Sequence, residues 1–303
     1  MIRFRSLGVF GALCAAFVQP TLGQAPFQQR AQAVGLIHKT TVGLDRVGVL
    51  KNMLDWVQTG AAMGDLDGNG TPDVIVYGRF EGTRLFRNQA GLFTDATAGS
   101  GLASDELDNC VTLGDYDGDG DLDVFLGVQG PLEGPVPSHD RLLRNAGAAH
   151  FEVVTGALDT SGGGHTLFVK FFDLDYDGDL DLYSCQFNGT PNQLHVNNGD
   201  GTFTERGAEL GADVGGSTHV VGIADVDGDG YVDLLVGNDF MVSAAAQLAS
   251  NSGDVQLQNT GDGHFVDVTA GAGYDLPGGF GATTMGLAFG DVNYDGTLDT
   301  YRS

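Results

Sequence analysis

The chain is short of cysteine, tryptophan and positive charge. Its 303 residues include three Cys, one Trp, eight Pro and only 14 Lys or Arg. So few thiols, with no C-x-x-C pair, exclude a disulfide-dense scaffold. Cys14 lies in an apolar N-terminal run, which leaves Cys110 and Cys185 downstream. These two sit in different stretches of sequence, and one disulfide or two buried free thiols are both open readings. Fourteen cations stand against 40 Asp and Glu, a formal net charge of −26. Nucleic-acid partners are excluded on that balance, because their affinity comes from Lys and Arg neutralising phosphates. Anionic membrane surfaces are excluded for the same reason, and no apolar run is long enough to span a bilayer. G-x-S-x-G, P-loop and H-E-x-x-H motifs are also missing, and the seven His (38, 139, 150, 165, 195, 219, 264) show no pair at ligand spacing.

What the chain has instead is glycine, 49 residues of it, and a nine-residue acidic loop in five versions. The loops are Asp65–Asp73 (DLDGNGTPD), Asp115–Asp123 (DYDGDGDLD), Asp173–Asp181 (DLDYDGDLD), Asp225–Asp233 (DVDGDGYVD) and Asp291–Asp299 (DVNYDGTLD). Oxygen-bearing side chains occupy positions 1, 3, 5 and 9, and Gly is at position 6. That spacing wraps a hard divalent cation: carboxylate and amide oxygens converge, Gly allows the sharp turn, and the position-7 carbonyl points inward. The predicted ligands are Asp65, Asp67, Asn69, Thr71 and Asp73 in the first loop, and Asp115, Asp117, Asp119, Asp121 and Asp123 in the second. They continue with Asp173, Asp175, Asp177, Asp179 and Asp181, then Asp225, Asp227, Asp229, Tyr231 and Asp233. Asp291, Asn293, Asp295, Thr297 and Asp299 complete the set. Eighteen of the 40 acidic residues fall at positions 1, 3, 5 and 9, so nearly half the negative charge has an assigned place.

An EF-hand needs a bidentate Glu at position 12 and flanking helices. Position 12 is Val76, Leu126, Ser184, Val236 and Arg302, so that reading is rejected, and a dockerin falls with it. The flanks (VIVYG, VFLGV, LLVGN after; VTLG, VVGIA before) are short, apolar and β-branched, and read as strands. Each loop is followed by a hairpin whose second strand begins at Phe93, Phe151, Phe203 or Phe265. Four strands per unit of about 55 residues, without an intervening helix, predict the blades of an all-β propeller, four full blades and a partial fifth. The repeat alone also fits an open solenoid. Phe27 precedes Gly35-Leu36 by the spacing that separates Phe93 from Gly101-Leu102, which predicts that the N-terminus supplies the outer strand of a blade begun at the far end. The chain stops inside the second strand of the fifth unit; a truncated larger propeller is preferred over an irregular fifth blade.

Segments such as GAAMGDLDGNGTPDVIVYG and VVGIADVDGDGYVDLLVG resemble the FG-GAP (or VCBS) repeat of integrin α-subunit propellers. The trailing Phe93-Thr-Asp-Ala-Thr and Phe265-Val-Asp-Val-Thr are similar to bacterial secreted proteins that carry an ASPIC/UnbV-type C-terminal domain, which this sequence lacks. The resemblance covers about residues 27–303. It implies calcium between the first two strands of each blade, up to five ions with a structural role. Magnesium is the alternative ion, although it tolerates crowded carbonyl and carboxylate shells poorly.

Residues 1–25 read as a secretory signal, with Arg3 and Arg5 ahead of an apolar run and small residues up to Ala25. Residues 26–303 are then the propeller, placed outside the cytoplasm as a secreted, periplasmic or cell-surface protein. His165 and His219, each next to a first strand, are read as polar strand or loop residues, with a cluster at the propeller mouth as the functional alternative. Trp56 is read as packing, with sugar stacking as its alternative. The loops Gln129–Asp140 and Asn238–Gly253 exceed the blade minimum and are candidate binding loops, the second with room for a helical turn. The expected function is a binding or adhesion scaffold for a protein or glycan, without catalysis. The alternatives are an extracellular carbohydrate-active enzyme on the same propeller and a structural module of a larger polypeptide.

Overall fold

A computed structural model describes residues 34–35, 59–78, 82–103, 108–128, 140–159, 165–187, 189–238, 253–272 and 284–302. The predicted strands form where apolar, β-branched runs flank the acidic loops. The first blade consists of β1 (Thr59–Gly64), β2 (Asp73–Gly78), β3 (Arg84–Gln89) and β4 (Leu92–Asp95). The second holds β5 (Asp108–Gly114), β6 (Asp123–Val128), β7 (Arg141–Asn145) and β8 (Phe151–Val153). In the third, β9 (Thr166–Phe172), β10 (Asp181–Gln186), β11 (Gln193–Asn197) and β12 (Phe203–Glu205) are followed by α1 (Gly207–Leu210). The fourth comprises β13 (Thr218–Ala224), β14 (Asp233–Asn238), β15 (Val255–Asn259) and β16 (Phe265–Asp267). A fifth unit is described as two strands, β17 (Leu287–Gly290) and β18 (Asp299–Arg302). Neighbours pair antiparallel in chain order within every blade. The first strands of successive blades, β1, β5, β9, β13 and β17, pack side by side. This is the architecture of a β-propeller built from four-stranded blades.

The core lies between the blades. One layer joins the first and second through Leu66, Ile75, Leu85, Leu126, Leu143 and Phe151. The next joins the second and third through Phe125, Leu142, Val169, Leu182 and Phe203. A third layer, with Tyr183, Leu194, Val221, Leu234 and Val236, joins the third and fourth. The second strand of a blade is covered by sheets on both faces, so β6, β10 and β14 are buried along their whole length, and β6 and β14 read as nearly continuous apolar runs. Cys110 and Cys185 are free and buried in separate layers, which settles the open reading in favour of two thiols.

Two recurring polar contacts fasten blade to blade. The first is at the exit from each blade, where the chain docks on the outer strand of the next. The Phe151 N–H donates to Ser100 O at 2.6 Å and the Phe203 N–H to Ala157 O at 2.8 Å. Gly101 follows at φ +85°, where a Cβ would collide with the Phe151 carbonyl oxygen, so only glycine fits. Residues 34–35 repeat this on the first blade: the Phe93 N–H donates to Val34 O at 2.6 Å, and Gly35 at φ +87° lies against Phe93 O. The Gly35 and Gly101 correspondence is therefore structural, while Leu36 and the strand beginning at Phe27 lie outside the described residues.

The second contact is a side-chain staple from the residue before a blade's third strand to the start of the next blade's first strand. Thr83 Oγ1 donates to Asp108 Oδ2 at 2.5 Å and Thr166 Oγ1 to Asp140 Oδ2 at 2.6 Å. Asn192 Nδ2 donates to Thr218 Oγ1 at 2.9 Å and Thr284 Oγ1 to Asp254 Oδ2 at 2.7 Å. Sequence reading expected no helix between blades. The structure places the single turn α1 there, closed by Gly211 in the left-handed region and held at its start by the Glu205 carboxylate, which accepts the Gly207 N–H at 2.7 Å.

Candidate metal centres

Each acidic loop is a closed web of backbone-to-carboxylate hydrogen bonds, and the web repeats in all five. The position-6 glycine N–H donates to the position-1 carboxylate: Gly70 to Asp65 at 2.7 Å, Gly120 to Asp115 at 3.0 Å, Gly178 to Asp173 at 3.2 Å, Gly230 to Asp225 and Gly296 to Asp291 at 2.9 Å. The position-7 N–H donates to the position-5 side chain, from Thr71 to Asn69 at 2.8 Å through Thr297 to Asp295 at 2.9 Å. The position-2 N–H donates to the position-9 carboxylate: Leu66 to Asp73, Tyr116 to Asp123, Leu174 to Asp181, Val226 to Asp233 and Val292 to Asp299, at 2.8–3.1 Å. These bonds turn the carboxylates inward, and the glycines at φ +71° to +97° supply the left-handed turns that this needs. Loops three and five carry Tyr176 and Tyr294 at position 4, both at φ 61°, where the other three loops use glycine.

Among the described residues four loops bring three carboxylates within 4.8 Å of one another. They are Asp65, Asp67 and Asp73; Asp115, Asp117 and Asp123; Asp173, Asp175 and Asp181; and Asp225, Asp227 and Asp229. The five loops are thus not equivalent. The first three converge on positions 1, 3 and 9, and the fourth on 1, 3 and 5. The fifth, with Asn293 at position 3, forms no such carboxylate group. Asp115 Oδ1 and Asp173 Oδ1 are buried without any hydrogen-bond partner. A buried carboxylate oxygen facing other carboxylates with no donor fits a bound cation, which would satisfy it.

Burial, joined by neighbouring carboxylates, governs the titration of these groups. Desolvation pushes Asp123 up to about 7 and Asp181 to about 6, against backbone N–H bonds that pull the other way. Asp73, Asp117, Asp175 and Asp233 are raised for the same first reason. Crowded, partly desolvated carboxylates of this kind favour either a proton or a divalent ion.

Sequence reading missed one residue type at these centres. At the end of each third strand stands an Asn, Asn88, Asn145, Asn197 or Asn259 (the last residue in all but the first blade, where Gln89 follows), and its N–H donates to the second oxygen of the position-9 Asp at 2.7–2.9 Å. In the last three the side chain reaches back to the preceding blade: Asn145 Nδ2 donates to Leu66 O at 2.9 Å, Asn197 Nδ2 to Tyr116 O at 2.8 Å and Asn259 Nδ2 to Leu174 O at 3.5 Å. Asn145, Asn197 and Asn259 therefore tie their own loops to the loop before, while Asn88 Nδ2 donates to Pro72 O in its own loop. The recurrent Asn before a Gly turn (RNQAG, RNAG, VNNG, QNTG) was the available signal.

Among the described residues the histidines form no ligand set. His195 is buried, and desolvation lowers it to about 4, which keeps it neutral. His165 is buried just ahead of β9, and His219 packs edge-on against Phe187 with ring centroids 6.0 Å apart. His38, His139, Trp56 and most of the loops Gln129–Asp140 and Asn238–Gly253 lie outside the described residues.

Inter-blade cores, first strands packed side by side and acidic loops between first and second strands define a β-propeller, four of whose described loops gather carboxylates that could hold a metal ion. Residues 58–126 and 173–236 match the family described as FG-GAP-like repeat, so the chain carries FG-GAP-like repeats. Human (Homo sapiens) cartilage acidic protein 1 is 26% identical over 265 residues, which are 79% of this chain and 38% of that protein. The chain thus spans well under half the length of that relative. Two solved structures are similar. A lectin of Agrocybe aegerita that recognises non-reducing terminal N-acetylglucosamine has a TM-score of 0.49 and 18% identity, over 80% of this chain and 60% of that one. The V. cholerae biofilm matrix protein Bap1 has a TM-score of 0.39 and 18% identity, over 69% and 27%. Overlaps this loose carry no argument about a ligand. None of these matches bears the name of an enzyme. Among the described residues no helix is long and apolar enough to cross a membrane.

Proposed function

We propose that the chain is a secreted or cell-surface propeller, stabilised by calcium, that serves as a binding or adhesion scaffold for a protein or glycan. The observation that carries the metal reading is the set of four converged carboxylate groups with two orphaned buried oxygens, Asp115 Oδ1 and Asp173 Oδ1. The predicted oxygens at positions 1, 3, 5, 7 and 9 would hold the ion, which supplies charge neutralisation and a rigid link between two strands. Its role is structural: in the first four loops the position-9 carboxylate is already fixed by two backbone N–H groups, one of them from the blade's third strand. At the ~0.1–1 mM affinity of extracellular modules, ~1 mM calcium stabilises each site by roughly 0.4–1.4 kcal/mol. Up to five sites together contribute about 2–7 kcal/mol, comparable with a whole domain's stability.

The scaffold reading rests on the architecture and its acidic, loop-rich surface. Residues 1–25 act in this reading as a cleaved signal and residues 26–303 as the propeller, which N-terminal sequencing of exported protein checks. Thermal unfolding in excess EDTA, in millimolar calcium and in millimolar magnesium tests the metal. A calcium-selective rise of many degrees is expected. An unchanged midpoint in a well-folded protein overturns the assignment.

A further inference from the structure

Loops two and three carry the same oxygen set, with Asp at positions 1, 3, 5, 7 and 9 in both. Both gather the carboxylates of positions 1, 3 and 9, and both leave a buried position-1 oxygen, Asp115 Oδ1 or Asp173 Oδ1, without a partner. As ligand sets the two are equal, so a difference in affinity comes from what surrounds those oxygens. Within the loops the exchanges are uncharged, Tyr116 for Leu174 at position 2 and Gly118 for Tyr176 at position 4. The charged exchange lies on the third strand. Just before its Asn stands Arg87 in β3, Arg144 in β7, Val196 in β11 and Gln258 in β15.

This position overhangs the position-3 carboxylate of its own loop. Arg87 Nε lies 3.9 Å from Asp67 Oδ2, and Gln258 Nε2 donates to Asp227 Oδ2. Arg144 shares the wall of an inter-blade cleft with Asp117. Desolvation and the Asp119 charge disfavour ionised Asp117, and the Arg144 cation opposes them. Val196 brings no charge to Asp175 and is buried in the layer against the fourth blade. Arg206 also acts on Asp175, but Glu209 holds its guanidinium through bonds of 2.6 and 3.0 Å. Arg144 meets its own partner, Glu152, only at 3.5 Å.

A divalent ion entering a carboxylate group meets such an arginine as a fixed competing cation, which lowers its affinity. We infer that loop three is the highest-affinity cation site of the five loops, and that Arg144 holds loop two, otherwise its equal, at lower affinity. Arg87 acts likewise on loop one, where Asn69 already replaces a carboxylate. Loop four has one carboxylate fewer than loop three and does not gather Asp233. This order of filling rests on the calcium reading above and deepens it.

Calorimetric titration of calcium into the metal-stripped chain tests it. Asp173→Asn is expected to remove the tightest phase, and Asp115→Asn to spare it. Arg144→Gln changes an exposed residue to the type that blade four has there. It is expected to tighten loop two about 3- to 10-fold, the worth of one screened charge near a divalent ion, so that a second ion joins the tightest phase. Arg144→Lys, which keeps the charge, is expected to titrate like the parent. Loss of the tightest phase in Asp115→Asn overturns the inference, as does an Arg144→Gln titration identical to the parent's or an Arg144→Lys titration identical to that of Arg144→Gln. Where an Asp variant fails to fold, the two Arg144 variants decide. Calcium binding in another order overturns this inference and leaves the metal reading standing, whereas no calcium binding by the parent overturns both.

Discussion

The position-9 aspartates combine a role in folding with the ligand role proposed for them. Asp123 is fully buried, accepts the Tyr116 and Asn145 N–H groups, and is still pushed up to about 7 because desolvation outweighs both bonds. Asp181, at about 6, behaves alike. A folded-state value above the unfolded one means that the metal-free fold takes up protons. Its contribution is fully present below about pH 4 and is lost as pH rises through about 6 to 7. Calcium requires the ionised carboxylates, so its effect runs the other way. Melting in EDTA is expected to fall between pH 5 and pH 8, while the increment added by calcium grows over the same interval. Parallel pH profiles with and without calcium would contradict both the titration and the ligand role. Glycine offers a second contrast. Gly118 and Gly101 both have positive φ, but only Gly101 lies against a neighbour, the Phe151 carbonyl. Gly118→Ala is expected to cost about 1 kcal/mol, the backbone cost alone. Gly101→Ala is expected to cost roughly 3 kcal/mol or more, since the backbone itself must move. Urea unfolding of the two variants measures the difference.

At the scale of strands and loops, the acidic nonapeptide and its apolar flanks were enough to place the first and second strands of every blade. Local chemistry dictates them: a carboxylate-rich turn with glycine at position 6 leaves a tight connection between two strands as the simple outcome. The Phe at the start of the outer strands, one residue in for the first blade and leading in the next three, was legible for the same reason. The Asn bridges were not, because their partners come from a different blade. Asn145 to Leu66, Asn197 to Tyr116 and Asn259 to Leu174 span 79, 81 and 85 residues. The inequality of the loops was equally hidden, since the motif records which residues are present and not which oxygens converge. Asn197→Ala tests the bridge. It removes side-chain bonds to Tyr116 O, Leu180 O and Gly199 N in a buried setting, and a loss of about 2–4 kcal/mol is expected. It is also expected to raise the calcium concentration needed to stabilise the protein, because the side-chain bridge anchors the strand end whose backbone N–H bonds Asp181. A stability loss with unchanged calcium dependence would show that the bridge serves packing alone.

For the molecule as a whole, stability comes from interfaces that repeat along the chain. Three apolar layers, the docked exit segments and the Thr–Asp or Thr–Asn staples all join one blade to the next. Such an array is a chain of nearest-neighbour couplings, and its cooperativity depends on whether each interface is stronger than the blade it joins is weak. The acidic loops bear directly on that balance. With the ions absent, most of the loop carboxylates repel one another within single nonapeptides, and the net charge of −26 adds a general repulsion. With ions bound, each loop becomes a rigid strand connection, and the Asn bridges pass that rigidity to the neighbouring blade. Hydrogen exchange followed by mass spectrometry distinguishes the two regimes. In calcium, β6, β10 and β14, the fully buried second strands, are expected to lose protection together at one global opening. In EDTA the fourth blade is expected to open first. Its converged carboxylates omit the position-9 Asp233, and its bridge from Asn259 to the third blade, at 3.5 Å, is the longest of the three. Simultaneous opening of all three strands in EDTA would show that the staples and apolar layers hold the array together without help from the loops.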